Sequence, residues 1–419
     1  MHRFHILLCV ASLLTAVPCM SQNKAELFGA KVLYEAPGAV HGLAAGDFVP
    51  SRAGTKIACL LQPCQIALLD PVQGSAEIVF SGNDMVTDMH AQMDVGNLAG
   101  RVYPSILVSG TKQVSTIHHD GTQWQSNVVY DTSDFIGHLW SARVGDYDSR
   151  REGLEMFVIF ENTMDTSLGV LLYWENQEWK QDDVYIAEVG MDTAAGDFDL
   201  THPGSEFAIT TEMGPTYVLH APAEGWTPPP PGKDGSNQFG NIAWPHAKVW
   251  DNADDAGWVV KVADVLSTHE GMELVYGTRF SKKMMVSYPA GDGAHHVETL
   301  FQAPFDAMPV PVIPSGDPPA LPATQDKFED LAIGDVLPDM PGNEIVGVDS
   351  SGSVYLVWNE NGEWKGEEIW SDSDALYAVL IEEIDTKSPG REILVGGETG
   401  IVTVLSKATL SHVPRWNVY

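Results

Sequence analysis

The chain has 419 residues, 57 of them acidic and 23 basic, for a formal charge of −34. A surface this negative excludes nucleic-acid binding through phosphate neutralisation and any attraction to an anionic membrane. Length alone suggests about two or three domains, but an internal repeat overrides that expectation.

In chain order, residues 1–21, "MHRFHILLCVASLLTAVPCMS", come first. A basic start, a short apolar run and then small or polar residues read as a secretory signal peptide, with cleavage expected near Ser21. The apolar run is short for a membrane span, and no later stretch approaches spanning length. The expected localisation is therefore secreted, periplasmic or extracellular, with the chain working as a monomer. Cys9 and Cys19 fall inside this signal. Cys59 and Cys64 remain, one on each side of a predicted hairpin turn, where an oxidising compartment would favour a small disulfide.

Residues 22–419 carry seven copies of one pattern. A Gly-Asp pair is followed seven residues after the Asp by Gly or Pro, and two residues later most often by Glu. Gly196-Asp197 leads to Gly204 and Glu206, and Gly145-Asp146 to Gly153 and Glu155. Gly46-Asp47, Gly96-Asn97, Ala263-Asp264, Gly334-Asp335 and the degenerate Glu382-Glu383 begin the others. Copies start near residues 41, 90, 138, 191, 258, 329 and 377. Each holds β-type runs such as "KIACLL", "MFVIFE", "EFAITT" and "REILVGG", and many end in an aromatic-led strand such as "EWKGEEIW". Four short strands per copy, here A to D, at a period of about fifty residues predict an all-β, seven-bladed β-propeller. An extra strand, Lys31 to Glu35, precedes the first copy, and the last copy lacks its D strand. The first segment is expected to close the ring and hide the open edges. Two Pro-rich insertions, Pro222 to Pro245 and Pro304 to Lys327, read as extended connections.

The recurring "GDxDxxxxGxEI…G" resembles the FG-GAP or VCBS-type propeller repeat over about residues 31–410. That family includes integrin α-subunit heads, secreted bacterial proteins and several carbohydrate-active lyases. The resemblance implies the fold, and in many members a DxDxDG calcium loop. Here "DFDLTHPG", "DYDSRREG" and "DVLPDMPG" lack the third acidic position, while calcium wants about six to eight oxygens. Asp197 and its counterparts are therefore read as acceptors of backbone hydrogen bonds in the A–B turn. The Gly204-type residues are expected to supply positive φ.

Propeller geometry places chemistry at the channel mouth, where D–A and B–C loops converge. His41, His90 and His138 lie five to seven residues before the Gly of their copies. Three imidazoles could there hold Zn²⁺ or another divalent metal, with Glu329, Asp192 or Asp330 completing the shell. The alternative is a set of polar residues lining a wet channel. Zinc or calcium is the one cofactor class expected. The B–C loop "GTRFSKKM" offers Arg279, Lys282 and Lys283 to an anionic sugar such as a uronate. Glu212 and Glu398 face the same side, and Trp140 and Tyr377 are placed to stack on sugar rings. His118, His119, His202, His269, His295 and His296 fall in turns on the other face, and no nucleophile elbow or phosphate loop occurs in a credible context.

Two functions follow. A carbohydrate lyase or dehydratase working by β-elimination would use His90 or His138 as base and Tyr377 or His41 as acid. Arg279 or a bound metal would neutralise the enolate. Secreted propellers similar to this one include such enzymes. The alternative is a non-catalytic propeller binding a glycan or another extracellular ligand. The B–C loops "LQPCQ", "SGTKQ", "TTEMG", "GTRFSKK" and "DSSGS" are unlike one another, which favours one asymmetric site over seven equal ones.

Overall fold

The structure is a computed structural model and describes residues 24–82, 92–133, 137–163, 166–200, 204–212, 215–223, 242, 244–250, 255–290, 294–304, 327–385 and 390–407. The expected signal peptide (residues 1–21), His90, His202 and most of both Pro-rich insertions lie outside the described residues.

The described strands form seven four-stranded antiparallel sheets, each ordered A-B-C-D from the ring axis outward. The innermost strands are Val40–Gly46, Gln92–Gly96, Leu139–Gly145, Gly190–Gly196, Gly257–Ala263, Phe328–Gly334 and Leu376–Glu382, in blades 1 to 7. The molecule is a seven-bladed β-propeller. In blade 7 the outer place is taken by Gly29–Glu35, which pairs antiparallel with Ile401–Ser406 from Gly29 opposite Ser406 to Glu35 opposite Ile401. Leu33 and Tyr34 of that strand are fully buried.

Burial explains the strand sequences. The B strands Lys56–Leu61, Glu206–Thr211, Glu273–Thr278, Glu344–Asp349 and Glu392–Gly397 are buried at every position, because a neighbouring blade covers each face. The outermost strand Ser75–Ser81 has no buried position, although Ala76, Ile78, Val79 and Phe80 are apolar. Each blade interface has its own apolar cluster. Val346, Val348 and Leu356 of blade 6, for example, meet Val379, Ile381 and Ile393 of blade 7. Leu43, Ile57 and Leu69 of blade 1 meet Ala378, Leu394 and Val402 of blade 7, which completes the circle.

The repeated turn works differently from the sequence expectation. Asp197 and Asp146 are exposed. The acceptor is the glutamate nine residues later. Glu206 Oε2 takes the N–H groups of Phe198 and Asp199 at 3.1 and 3.0 Å. Glu155, Glu273, Glu344 and Glu392 each take the corresponding two. These carboxylates are buried and satisfy loop donors that would otherwise be stranded. Blade 1 reverses the polarity: buried Lys56 donates to the carbonyls of Arg52 and Gly54 at 3.0 and 2.9 Å and lies 3.4 Å from Asp70. Gly204 has φ +107°, as the turn requires, and Gly153, Gly271 and Gly342 match it.

In "DYDSRREG" the protein supplies its own cations. Arg150 donates to both oxygens of buried Asp148 at 2.6 Å, and Arg151 adds a third contact at 2.9 Å. Burial acts to raise the Asp148 carboxyl, but the two guanidiniums prevail and hold it below the usual range.

The hairpin disulfide does not form. Both thiols are buried, but Cys59 packs with Leu33, Leu61 and Ala67 toward blade 7, whereas Cys64 packs with Phe48, Leu60 and Ile66 toward blade 2. Side chains on opposite faces of one sheet cannot meet.

Candidate functional site

A recurring irregularity in the innermost strand builds the site. In six blades the A–B register slips near the start of strand A, between Val40 and Gly42, Leu139 and Ser141, Gly190 and Thr193, Gly257 and Val259, Phe328 and Asp330, and Leu376 and Ala378. A β-bulge re-aims the extra side chain. The residues so released, His41, Trp140, Met191, Trp258, Glu329 and Tyr377, all line one cavity of about 440 Å³ at the ring axis. Each lies five residues before the last residue of its strand. The matching residue of blade 2, Ala91, is outside the described residues.

The ring has two unlike arcs. Met191 and Trp258 pack with Val189 and Trp140 into an apolar wall over blades 3 to 5. Across the axis, on blades 1 and 7, His41 and Tyr377 stack in parallel, with centroids 4.9 Å apart and planes 4° apart. The Tyr377 hydroxyl donates to Glu398 at 2.7 Å. Charged residues brace the rim in pairs: Arg279 with Glu212 at 2.6 Å, and Lys327 with Glu329 at 3.2 Å. Both cations lie over Trp258, Lys327 Nζ 3.8 Å and the Arg279 guanidinium 4.7 Å from the ring centroid. Burial pushes the Glu329 carboxyl up against the opposing pull of Lys327, and burial pushes the Lys327 ammonium down.

Below the cup, an ion network crosses the channel. Buried Asp192 accepts from Ser141 Oγ at 3.1 Å, Arg143 Nε at 2.9 Å, the Val260 N–H at 3.2 Å and Gln92 Nε2 at 3.4 Å. It therefore ties blades 2, 3, 4 and 5 together. Asp94 takes the Val144 N–H at 2.8 Å, and Asp330 takes the Val379 N–H at 3.2 Å and lies 3.0 Å from Lys261. Burial works to raise the Asp192 carboxyl, but Arg143 and Lys261 outweigh it and hold it low. For Asp94 burial wins over Arg143 and two backbone donors, and its carboxyl is raised.

The expected residues separate accordingly. His41, Trp140, Glu329 and Tyr377 come together at the cup, with Arg279 and Glu212 flanking it through Trp258. Asp192 lines the floor of the same cavity, almost wholly buried, with its carboxylate engaged by the neighbouring blades. His138 precedes its strand, is exposed and stands outside the cavity lining, and His90 is outside the described residues. The three-histidine cluster is thus not assembled from the described residues, among which no group of three His, Cys, Asp or Glu side chains is placed to hold a metal. Lys282 is also no surface contact. It is buried at φ +54°, with Nζ 2.6 Å from buried Asp349 and 3.3 Å from the Tyr355 hydroxyl. Lys283 is half-buried at the start of the next strand, opposite Gln302. Of the three bases expected to hold a uronate, Arg279 is thus paired with Glu212 and Lys282 with Asp349. Met191, Trp258 and Lys327 were not anticipated from the sequence. A constant offset of five residues would have found the first two.

Fold and site define a class: a seven-bladed propeller with one asymmetric cup at the mouth of a charged channel. Neither a protein-family model nor a curated protein matches the chain. Among solved structures it is similar to BBS1N, crystallised in complex with ARL6DN and soaked with lead (TM-score 0.51, 7% identity, covering 92% of this chain and 98% of that one). It is also similar to YCF48 bound to D1 peptide (TM-score 0.49, 11% identity, 90% and 94% covered) and to the Dos1 propeller (TM-score 0.48, 9% identity, 88% and 78% covered). At 7% identity the likeness to BBS1N shows the fold alone. No helix among the described residues is long and apolar enough to cross a membrane.

Proposed function

We propose that the chain is a secreted, non-catalytic recognition propeller that holds the end of a glycan in the cup at its channel mouth. The observation that carries this reading is the bulge ring. It turns Trp140, Met191, Trp258, His41 and Tyr377 toward one cavity whose floor is an ion network centred on Asp192. Apolar ring faces beside fixed polar edges match the amphipathic faces of a sugar. The resemblance to FG-GAP and VCBS-type repeats, which serve extracellular recognition in integrin heads, supports the same reading.

Two of the groups that β-elimination would use are already engaged. The Tyr377 hydroxyl is committed to Glu398, and the Arg279 charge is neutralised by Glu212. A guanidinium already paired with a carboxylate stabilises a developing enolate far less than an unpaired one. His138 stands outside the cavity lining and His90 is outside the described residues, so among the described residues the lining holds the candidate acids, His41 and Tyr377, and neither candidate base.

The test is titration of the full chain with glycan oligomers, read by calorimetry and tryptophan fluorescence, alongside Trp140→Ala. Saturable binding that the variant weakens about tenfold or more, with unaltered melting, supports the reading. Appearance of an ultraviolet-absorbing double bond in a polysaccharide incubated with the protein would overturn it in favour of a lyase.

A further inference from the structure

Building on the glycan cup, we infer that its ligand carries a positive charge: a sugar bearing a free amine, rather than a uronate or an N-acetylated sugar. The argument begins with the charges at the cavity. Its lining holds Asp94, Asp192, Glu329 and Asp330 against Arg143 and Lys261. The rim adds Glu212 and Glu398 against Arg279 and Lys327. Each of the four bases pairs with one acid: Arg143 with Asp192, Lys261 with Asp330, Arg279 with Glu212, and Lys327 with Glu329. Asp94 and Glu398 are left in excess.

Low-dielectric walls focus such an excess along the axis. An anionic sugar entering the cup would meet repulsion and would find both rim cations engaged. A cation would meet the opposite field and the negative faces of aromatic rings. The cup already shows this preference internally, since Lys327 and Arg279 both settle over Trp258. What remains for a ligand is the edge formed by His41, Tyr377 and Glu398. There a carboxylate is held beside two stacked rings and is exposed to solvent. A ligand ammonium placed at Glu398 gains a charge-assisted hydrogen bond beside the Tyr377 hydroxyl. The apolar face of the sugar ring then has the Trp140–Met191 wall to lie against.

The experiment compares a β-linked glucosamine tetramer, its N-acetylated counterpart and a galacturonate oligomer by calorimetry against the whole protein and against Glu398→Gln. Glu398 is exposed, so the variant should fold, which its melting curve checks. Glucosamine binding about tenfold tighter than N-acetylglucosamine, the factor that about 1.4 kcal/mol of charge recognition gives, together with loss of that preference in Glu398→Gln, supports the inference. Equal binding of the amine and the acetamide, or preference for the uronate, overturns the charge class and leaves the glycan cup standing. Retention of the preference in Glu398→Gln overturns the assignment to this edge. Failure of every oligomer to bind overturns the glycan cup itself.

Discussion

The carboxylate of Asp192 accepts the backbone N–H of Val260, 68 residues further along the chain and one blade around the ring, at 3.2 Å. The same contact joins Asp94 to Val144 and Asp330 to Val379. Carboxylates from alternate blades thus staple blade 2 to 3, 4 to 5 and 6 to 7 at the channel wall. The acidic character of the chain, which at first sight describes only its surface, is also part of its internal architecture.

Asp192→Ala removes the partner of Arg143 and five hydrogen bonds, two of them from Arg143 itself. Leaving one member of a buried pair uncompensated typically costs about 3–5 kcal/mol. Urea denaturation should show a loss of that order. Unchanged stability with weakened ligand binding would instead make Asp192 a ligand contact.

Lys282→Met leaves Asp349 charged and buried, and should destabilise the protein by about 3 kcal/mol or more. Adding Asp349→Asn should restore most of that, because Asn removes the charge while its side-chain oxygen still accepts from the Ser351 and Ser353 N–H groups. A double variant as unstable as the single one would refute the pairing argument.

Arg150→Ala with Arg151→Ala strips Asp148 of its guanidiniums. The expected result is a lowered melting temperature that added calcium partly restores, with no calcium or chelator response in the parent chain. A parent protein that melts earlier in chelator would show that a metal supports the fold.

Glu155 and Glu344 have carboxyls raised to about 7, chiefly by burial, against two backbone donors each. Their folded-state values lie above the ordinary value of 4.5. The native state therefore holds more protons than the unfolded state between about 4.5 and 7. Their contribution favours folding most below that window and declines as pH rises through it. Glu155→Gln with Glu344→Gln should flatten the stability–pH curve across the window relative to the parent, as read by denaturation at several pH values. An unchanged slope would exclude the effect.

Most of the fold was legible, and for a local reason. A Gly-Asp turn, a glycine seven residues after the Asp and a period near fifty are set within each repeat, so they survive in one dimension. The role of the glutamate was visible as spacing but misassigned: Asp197 was given the task that Glu206 performs, because only coordinates show which carboxylate is buried. The cup was half legible. His41, Trp140, Glu329 and Tyr377 were picked for their chemistry, but selecting histidines led to His138, two residues too early to enter the bulge. Lys282 read as a surface base because nothing local reveals Asp349.

By itself, then, the sequence determined the blade count, the strand order and the closing strand, since each follows from patterns that repeat along the chain. Tertiary structure alone decided which charges line the cavity and which face one another. Those pairs, Asp192 with Arg143, Lys282 with Asp349 and Arg279 with Glu212, join residues of different blades, and their partners are set by the ring's closure rather than by any spacing along the chain.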